Sequence, residues 1–163
     1  MVREEDWAEA RSAGARPALW GTAVGEAKLP AALLQQVVVA ARAGVPNEAC
    51  GLLVADRYHA AAGVPSRYVA LRNSAESPYR YLIDPQEQLQ VWMELDDADE
   101  VVWAIVHSHV ASAAVPSATD VGLALYPDSL YVICSLADPE SPIVRAWSIR
   151  DRTVLEVALT LSP

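Results

Sequence analysis

Two histidines, His107 and His109, stand one residue apart directly after the apolar run Val101–Val106, in a chain with only three histidines. If that run is a strand, alternate residues share a face, so the two imidazoles project together while Ser108 points away. Their α-carbons then lie roughly 6–7 Å apart, a spacing from which two rings can converge on one ion. The pair alone is equally compatible with polar residues ending a core strand and meeting solvent. Asp120, thirteen residues after His107, supplies the missing anionic donor. Two neutral imidazoles and a carboxylate leave zinc a net positive charge and a fourth position for water, whose pKa the ion lowers to about 7. Ser117-Ala118-Thr119-Asp120 also reads as a helix capping box, and the two roles are compatible, because a helix N-terminus is a rigid place from which to aim a side chain. The third histidine, His59, sits among alanines and reads as a surface residue.

The elements that must carry these groups follow from pattern. Val101–Val106 is apolar throughout, as a strand inside a sheet would be. Ser117–Tyr126 reads as a helix. Leu33, Leu34, Val37, Val38 and Ala41 form one face of a helix opened by Pro30 and stopped at Gly44. Asp84-Pro85-Gln86-Glu87 starts another helix, running to about Asp97: Asp84 caps, Pro85 takes the first position, and Glu87 stands three residues after the cap. Cys50–Ala55, Arg67–Arg72, Tyr79–Ile83, Tyr131–Leu136, Ile143–Ile149 and Val154–Leu159 read as strands, the last two as a hairpin around Asp151. Strands mixed with three helices predict an α/β (α+β) fold, one sheet with flanking helices. Residues 1–28 read as an extension, with one short helix near Asp6–Arg11 and two tryptophans, Trp7 and Trp20, able to dock; the folded domain is expected over 29–163.

The bulk numbers bound the function. A chain of 163 residues fits one domain, and 53% apolar with 20% charged residues reads as soluble and globular. A net charge of −9 with Lys28 as the only lysine argues against nucleic acid or an anionic membrane as partner. Cys50 and Cys134 each lie in an apolar run and read as reduced packing residues. With no apolar stretch of membrane-spanning length and an acidic start lacking the features of a secretory signal, a cytoplasmic location is expected.

Taken together, His107-x-His109, seven residues, Ser117, two residues and Asp120 resemble the signature of the JAMM (MPN-plus) metallopeptidases. That family carries an upstream glutamate entering a strand, matched by Glu48 before Cys50-Gly51-Leu52-Leu53. The resemblance runs from about Leu29 to Leu159 and is strongest to small stand-alone bacterial members, which share a segment like Asn73 followed by Ser77-Pro78-Tyr79-Arg80-Tyr81-Leu82-Ile83-Asp84-Pro85. It implies a curved mixed sheet between helices, related to the cytidine deaminases. It also implies Zn2+ held by His107, His109 and Asp120, Glu48 as general base and then acid, and Ser117 as donor to the oxyanion. The implied substrate is the amide bond after the Gly-Gly tail of a ubiquitin-like sulfur-carrier protein, with release of cysteine or a related amine. The competing readings are an isopeptidase taking ubiquitin-like modifiers off lysines and a non-catalytic scaffold; a DNA-associated relative is disfavoured by charge. The chain has Val110 where the family usually has proline after the second histidine, which should loosen the loop rather than alter the chemistry.

Overall fold

A computed structural model describes residues 26–57 and 63–163. Seven strands form one mixed sheet: β1 (Glu26–Pro30), β2 (Cys50–Asp56), β3 (Arg67–Leu71), β4 (Glu100–His109), β5 (Leu130–Ser135), β6 (Ile143–Arg150) and β7 (Thr153–Ser162). Their order is β1-β7-β6-β5-β4-β2-β3, with β4/β5 and β1/β7 parallel and the remaining pairs antiparallel. Three helices complete the described fold: α1 (Ala31–Gly44), α2 (Pro85–Asp97) and α3 (Ala118–Gly122).

The sheet divides two apolar layers. On one face α1 buries Leu33, Val37 and Ala41 against Leu53, Ala104, Val106, Val132 and Ala146. On the other, Leu95 of α2 joins Leu52, Val54, Val102, Ile105, Ile133 and Ile149, with Val121 of α3 packed alongside. The continuous apolar runs of β2, β4 and β5 are those of strands covered on both faces. The sheet with flanking helices is therefore as the sequence predicts.

Several local expectations need correction. Glu26–Pro30 form β1, parallel to β7, and Pro30 is the residue before α1 rather than within its first turn. As expected, α1 stops at Gly44, with Val45 following as the cap. Tyr79–Ile83 is not a strand: it is a loop with a single bridge from Ile83 to Asn73, its polar backbone groups taken up by the Asn73 side chain instead of a neighbouring strand. The helix expected over 117–126 stops at Gly122. Pro127 disfavours helical backbone at Tyr126, whose N–H donates to the Tyr131 hydroxyl instead. Asp84 caps α2 as expected, accepting from the N–H groups of Gln86 and Glu87, but Glu87 reaches across to the Arg72 N–H instead of closing a capping box. The β6–β7 hairpin turns on Asp151 and Arg152, both at positive φ, 47° and 64°, as a two-residue type I′ turn requires. Trp7, Trp20, the segment 6–11 and His59 lie outside the described residues.

Candidate metal centre

The site is built at the end of β4, and a bulge decides which face it occupies. β4 pairs Ala104 with Leu53 and Val102 with Val54, leaving Trp103 as the extra residue. Trp103 and Ala104 consequently both face the α1 layer, whereas Val102 and Ile105 face the α2–α3 layer. An uninterrupted alternation from Val102 would send odd-numbered residues to the α1 side. The bulge reverses that phase, so His107 and His109 face α3 and the Tyr81 loop. Nothing in the alternation of an all-apolar run marks this shift.

α3 brings the third donor. Ser117 Oγ accepts from the Asp120 N–H at 3.1 Å, and Asp120 Oδ2 accepts from the Ser117 N–H at 2.7 Å, a complete capping box. The same carboxylate faces the histidines: Asp120 Oδ1 lies 3.3 Å from His107 Nε2 and Oδ2 lies 3.3 Å from His109 Nε2. The two Nε2 atoms are 3.1 Å apart. One donor atom from each of the three residues thus falls within 4.8 Å of the others, and all three residues are buried. Capping and convergence coexist in Asp120.

Glu48 arrives from the neighbouring strand. Cys50 pairs with His107, and Ala49 exchanges bonds with Ser108 through the Ser108 N–H (2.9 Å) and hydroxyl (2.8 Å). Continuing that register sets Glu48 opposite His109. Its N–H donates to the Ser77 carbonyl and its carbonyl accepts from Asn73 Nδ2, each at 2.9 Å. The Glu48 side chain is 5% exposed, and among the described residues its Oε2 has no hydrogen-bond partner. Ser117 is exposed, and its hydroxyl, already accepting from Asp120 N–H, keeps its own proton for another acceptor.

The electrostatics follow from burial. Desolvation pushes the Glu48 carboxyl up to about 7, opposed by His109 and reinforced by Asp120. Burial also favours a neutral Asp120, but hydrogen bonds from His107 and His109, together with the Ser117 N–H, outweigh it and hold the carboxyl well below its usual range. His107, wholly buried, is pushed below its ordinary value by desolvation, which outweighs Asp120. For His109 burial acts downward, and the Asp120 bond, the Ala113 carbonyl and the nearby carboxylates together raise it.

The donor set fits a zinc ion. Hydrogen bonding of His109 Nδ1 to the Ala113 carbonyl at 2.7 Å places the ring proton on Nδ1 and turns the Nε2 lone pair toward His107 and Asp120. Two imidazole nitrogens and a carboxylate oxygen, buried and converging, make a donor set that could hold a zinc ion and leave one position open.

The loop after His109 is held in spite of Val110. Ser135 Oγ donates to the Ser112 carbonyl at 2.6 Å, and Trp147 Nε1 to the Ala114 carbonyl at 3.0 Å. Ser108, Ser135, Trp147 and the Ala113 carbonyl support the site without being singled out by the sequence. A small polar residue inside an apolar strand was the available signal for Ser108; a backbone carbonyl offers none. Cys50 and Cys134 are free and buried, their thiols pushed up to about 12 and about 11 chiefly by desolvation, which suits packing rather than nucleophilic roles.

Residues 30–150 match the family model for prokaryotic homologs of the JAB domain. A CysO-cysteine peptidase of Mycobacterium tuberculosis is 42% identical over 124 residues, covering 76% of this chain and 83% of the relative. A desampylase of Haloferax volcanii is 34% identical over 90 residues, 55% of this chain and 63% of that protein. The solution structure of a protein from Desulfitobacterium hafniense superposes with a TM-score of 0.73 at 34% identity, covering 83% of this chain and 92% of the other. With three quarters of its length matched and its fold superposing on that solution structure, the chain belongs to the JAB family, as a small bacterial member of its JAMM/MPN-plus group.

Proposed function

We propose that this protein is a zinc-dependent peptidase that hydrolyses the amide bond after the Gly-Gly tail of a ubiquitin-like sulfur-carrier protein, releasing cysteine or a related amine. The observation that carries the reading is the convergence of His107, His109 and Asp120 beside a buried Glu48 whose Oε2 has no hydrogen-bond partner among the described residues. Similarity to a CysO-cysteine peptidase supports the substrate class.

His107 and His109 would hold the ion through Nε2 and Asp120 through its carboxylate, with Zn2+ supplying a Lewis acid and lowering the pKa of water to about 7. Glu48 accepts a proton from the attacking water as the new C–O bond forms. It then returns that proton to the departing nitrogen when the C–N bond breaks, leaving a carboxylate and an amine. The exposed Ser117 hydroxyl donates to the carbonyl oxygen as negative charge develops there. Burial of Glu48 and of the three donors keeps competing water from their polar atoms.

A second reading, removal of ubiquitin-like modifiers from lysine, is supported by the similarity to a desampylase. Mass spectrometry of a carrier–cysteine adduct and a carrier–lysine isopeptide, each incubated with the zinc-loaded protein, separates the two. Faster cleavage of the cysteine adduct is expected; cleavage of the isopeptide alone supports the second reading. A scaffold would cleave neither and hold no zinc.

A further inference from the structure

The two histidines are held by different means. His109 has a hydrogen bond from Nδ1 to the Ala113 carbonyl. His107 has none: its Nδ1 is buried and, among the described residues, without a partner. A histidine that ligates a metal ordinarily gives its second nitrogen to an acceptor, which fixes both ring orientation and tautomer. Asp120 and His109 meet the ring at Nε2, but on its Nδ1 side only packing restrains a torsion that is intrinsically broad. The stacked contact is Tyr81, whose ring lies on His107 with centroids 4.4 Å apart and planes 23° from parallel, whereas the His109 ring is tilted at 5.0 Å.

Tyr81 lies in an irregular loop, so its own position needs a cause. Asn73 provides it. Its Oδ1 accepts from the Leu82 N–H (2.9 Å) and the Ala75 N–H (3.0 Å); its Nδ2 donates to the Arg80 carbonyl (3.1 Å) and the Glu48 carbonyl (2.9 Å). All four bonding positions of the amide are used. The Arg80 carbonyl and the Leu82 N–H belong to the two residues flanking Tyr81, and the fourth bond goes to the residue assigned here as the base. One side chain therefore fixes both the backbone that carries Tyr81 and the backbone that carries Glu48.

We propose that Tyr81 is the positioning residue for His107, doing by ring stacking what Ala113 does for His109 by hydrogen bonding, and that Asn73 registers Tyr81 and Glu48 against each other. The inference rests on the zinc reading above. It places the loop of residues 73–84 in the metal centre's support, although none of its residues is a ligand.

The test uses the full chain and reads metal binding apart from turnover. Zinc affinity is measured by chelator competition and coordination geometry by the absorption spectrum of the Co2+-loaded protein, for wild type, Y81F, Y81L and N73D. Y81F keeps the stack and should match wild type within about twofold. Y81L should lose about 10- to 100-fold in zinc affinity, the loss seen when support of a ligating histidine is removed, with a changed Co2+ spectrum. N73D, which replaces two donors by an acceptor, should weaken zinc binding and, at saturating zinc, lower kcat with little change in KM. In wild-type protein labelled at histidine, the His107 ring protons should be shifted upfield by the Tyr81 ring, a readout that needs no variant to fold. Wild-type affinity and spectrum in Y81L, or no upfield shift in folded wild type, overturns the role of Tyr81 while leaving the zinc site intact. A wild-type chain that binds no zinc overturns the proposed function, and this inference with it.

Discussion

Glu48 combines 5% exposure with a carboxylate oxygen that has no hydrogen-bond partner among the described residues and a pKa pushed up to about 7 by burial, which ties its proposed role to a measurable pH dependence. Because the folded state holds the proton more tightly than an unfolded glutamate near 4.5, its contribution to stability is complete below pH 4.5 and is lost as pH rises through 7. In chelator-treated protein, the unfolding free energy of wild type should therefore fall relative to E48Q across that window; parallel curves would show that burial does not tune this group. Zinc-loaded E48Q should retain its metal and lose activity by 100-fold or more, the scale of general acid–base catalysis. Normal turnover in E48Q would remove Glu48 from the reaction. Ser117 is a cap in the structure and is proposed as an oxyanion donor, and the two duties are separable. S117A should cost about 1 kcal/mol of stability through the lost cap and about 100- to 1,000-fold in kcat through the lost oxyanion donor. A melting-temperature loss without a kinetic one would leave it a cap alone.

At the scale of elements, the bulge in β4 is the device that turns two histidines toward Asp120. Trp103, the extra residue, is fully buried in the same apolar cluster as Leu53 and Ala104. W103A should destabilise the fold by about 3–5 kcal/mol in chemical denaturation; a loss below 1 kcal/mol would mean that the bulge is held by other contacts. The loop after His109 is secured by Trp147 and Ser135 where proline is absent, so W147F should cost about 1 kcal/mol for the lost bond to Ala114 and weaken zinc retention through Ala113 and His109. Unchanged zinc affinity in W147F would show that the loop is rigid without it. What the sequence made legible here was chemical type and spacing: the histidine pair, the capping box and the helix start at Asp84 each have a local cause. The bulge, the short α3 and the irregular loop around Asn73 do not. They arise from long-range packing and from one asparagine competing for backbone bonds that a strand would otherwise use.

For the molecule as a whole, the two apolar layers were readable from helical spacing and from strands too apolar to face water, whereas strand order and the parallel return of β1 onto β7 were not. The parallel edge depends on where the chain returns in space, and the boundary near residue 28 could not anticipate that Glu26–Lys28 would pair. Among the described residues, no helix is long and apolar enough to cross a membrane. The sheet delivers the histidines at the end of β4 and Glu48 just ahead of the adjacent β2, and α3 delivers the carboxylate from a separate element. A ligand ion should accordingly stabilise the folded chain over the unfolded one. The most direct measurement is anomalous scattering at the zinc edge from crystals of the zinc-loaded protein. The prediction is one peak at about 2.0–2.2 Å from His107 Nε2, His109 Nε2 and an Asp120 oxygen. A fully loaded crystal with density at some other position, and none among these three side chains, would contradict it.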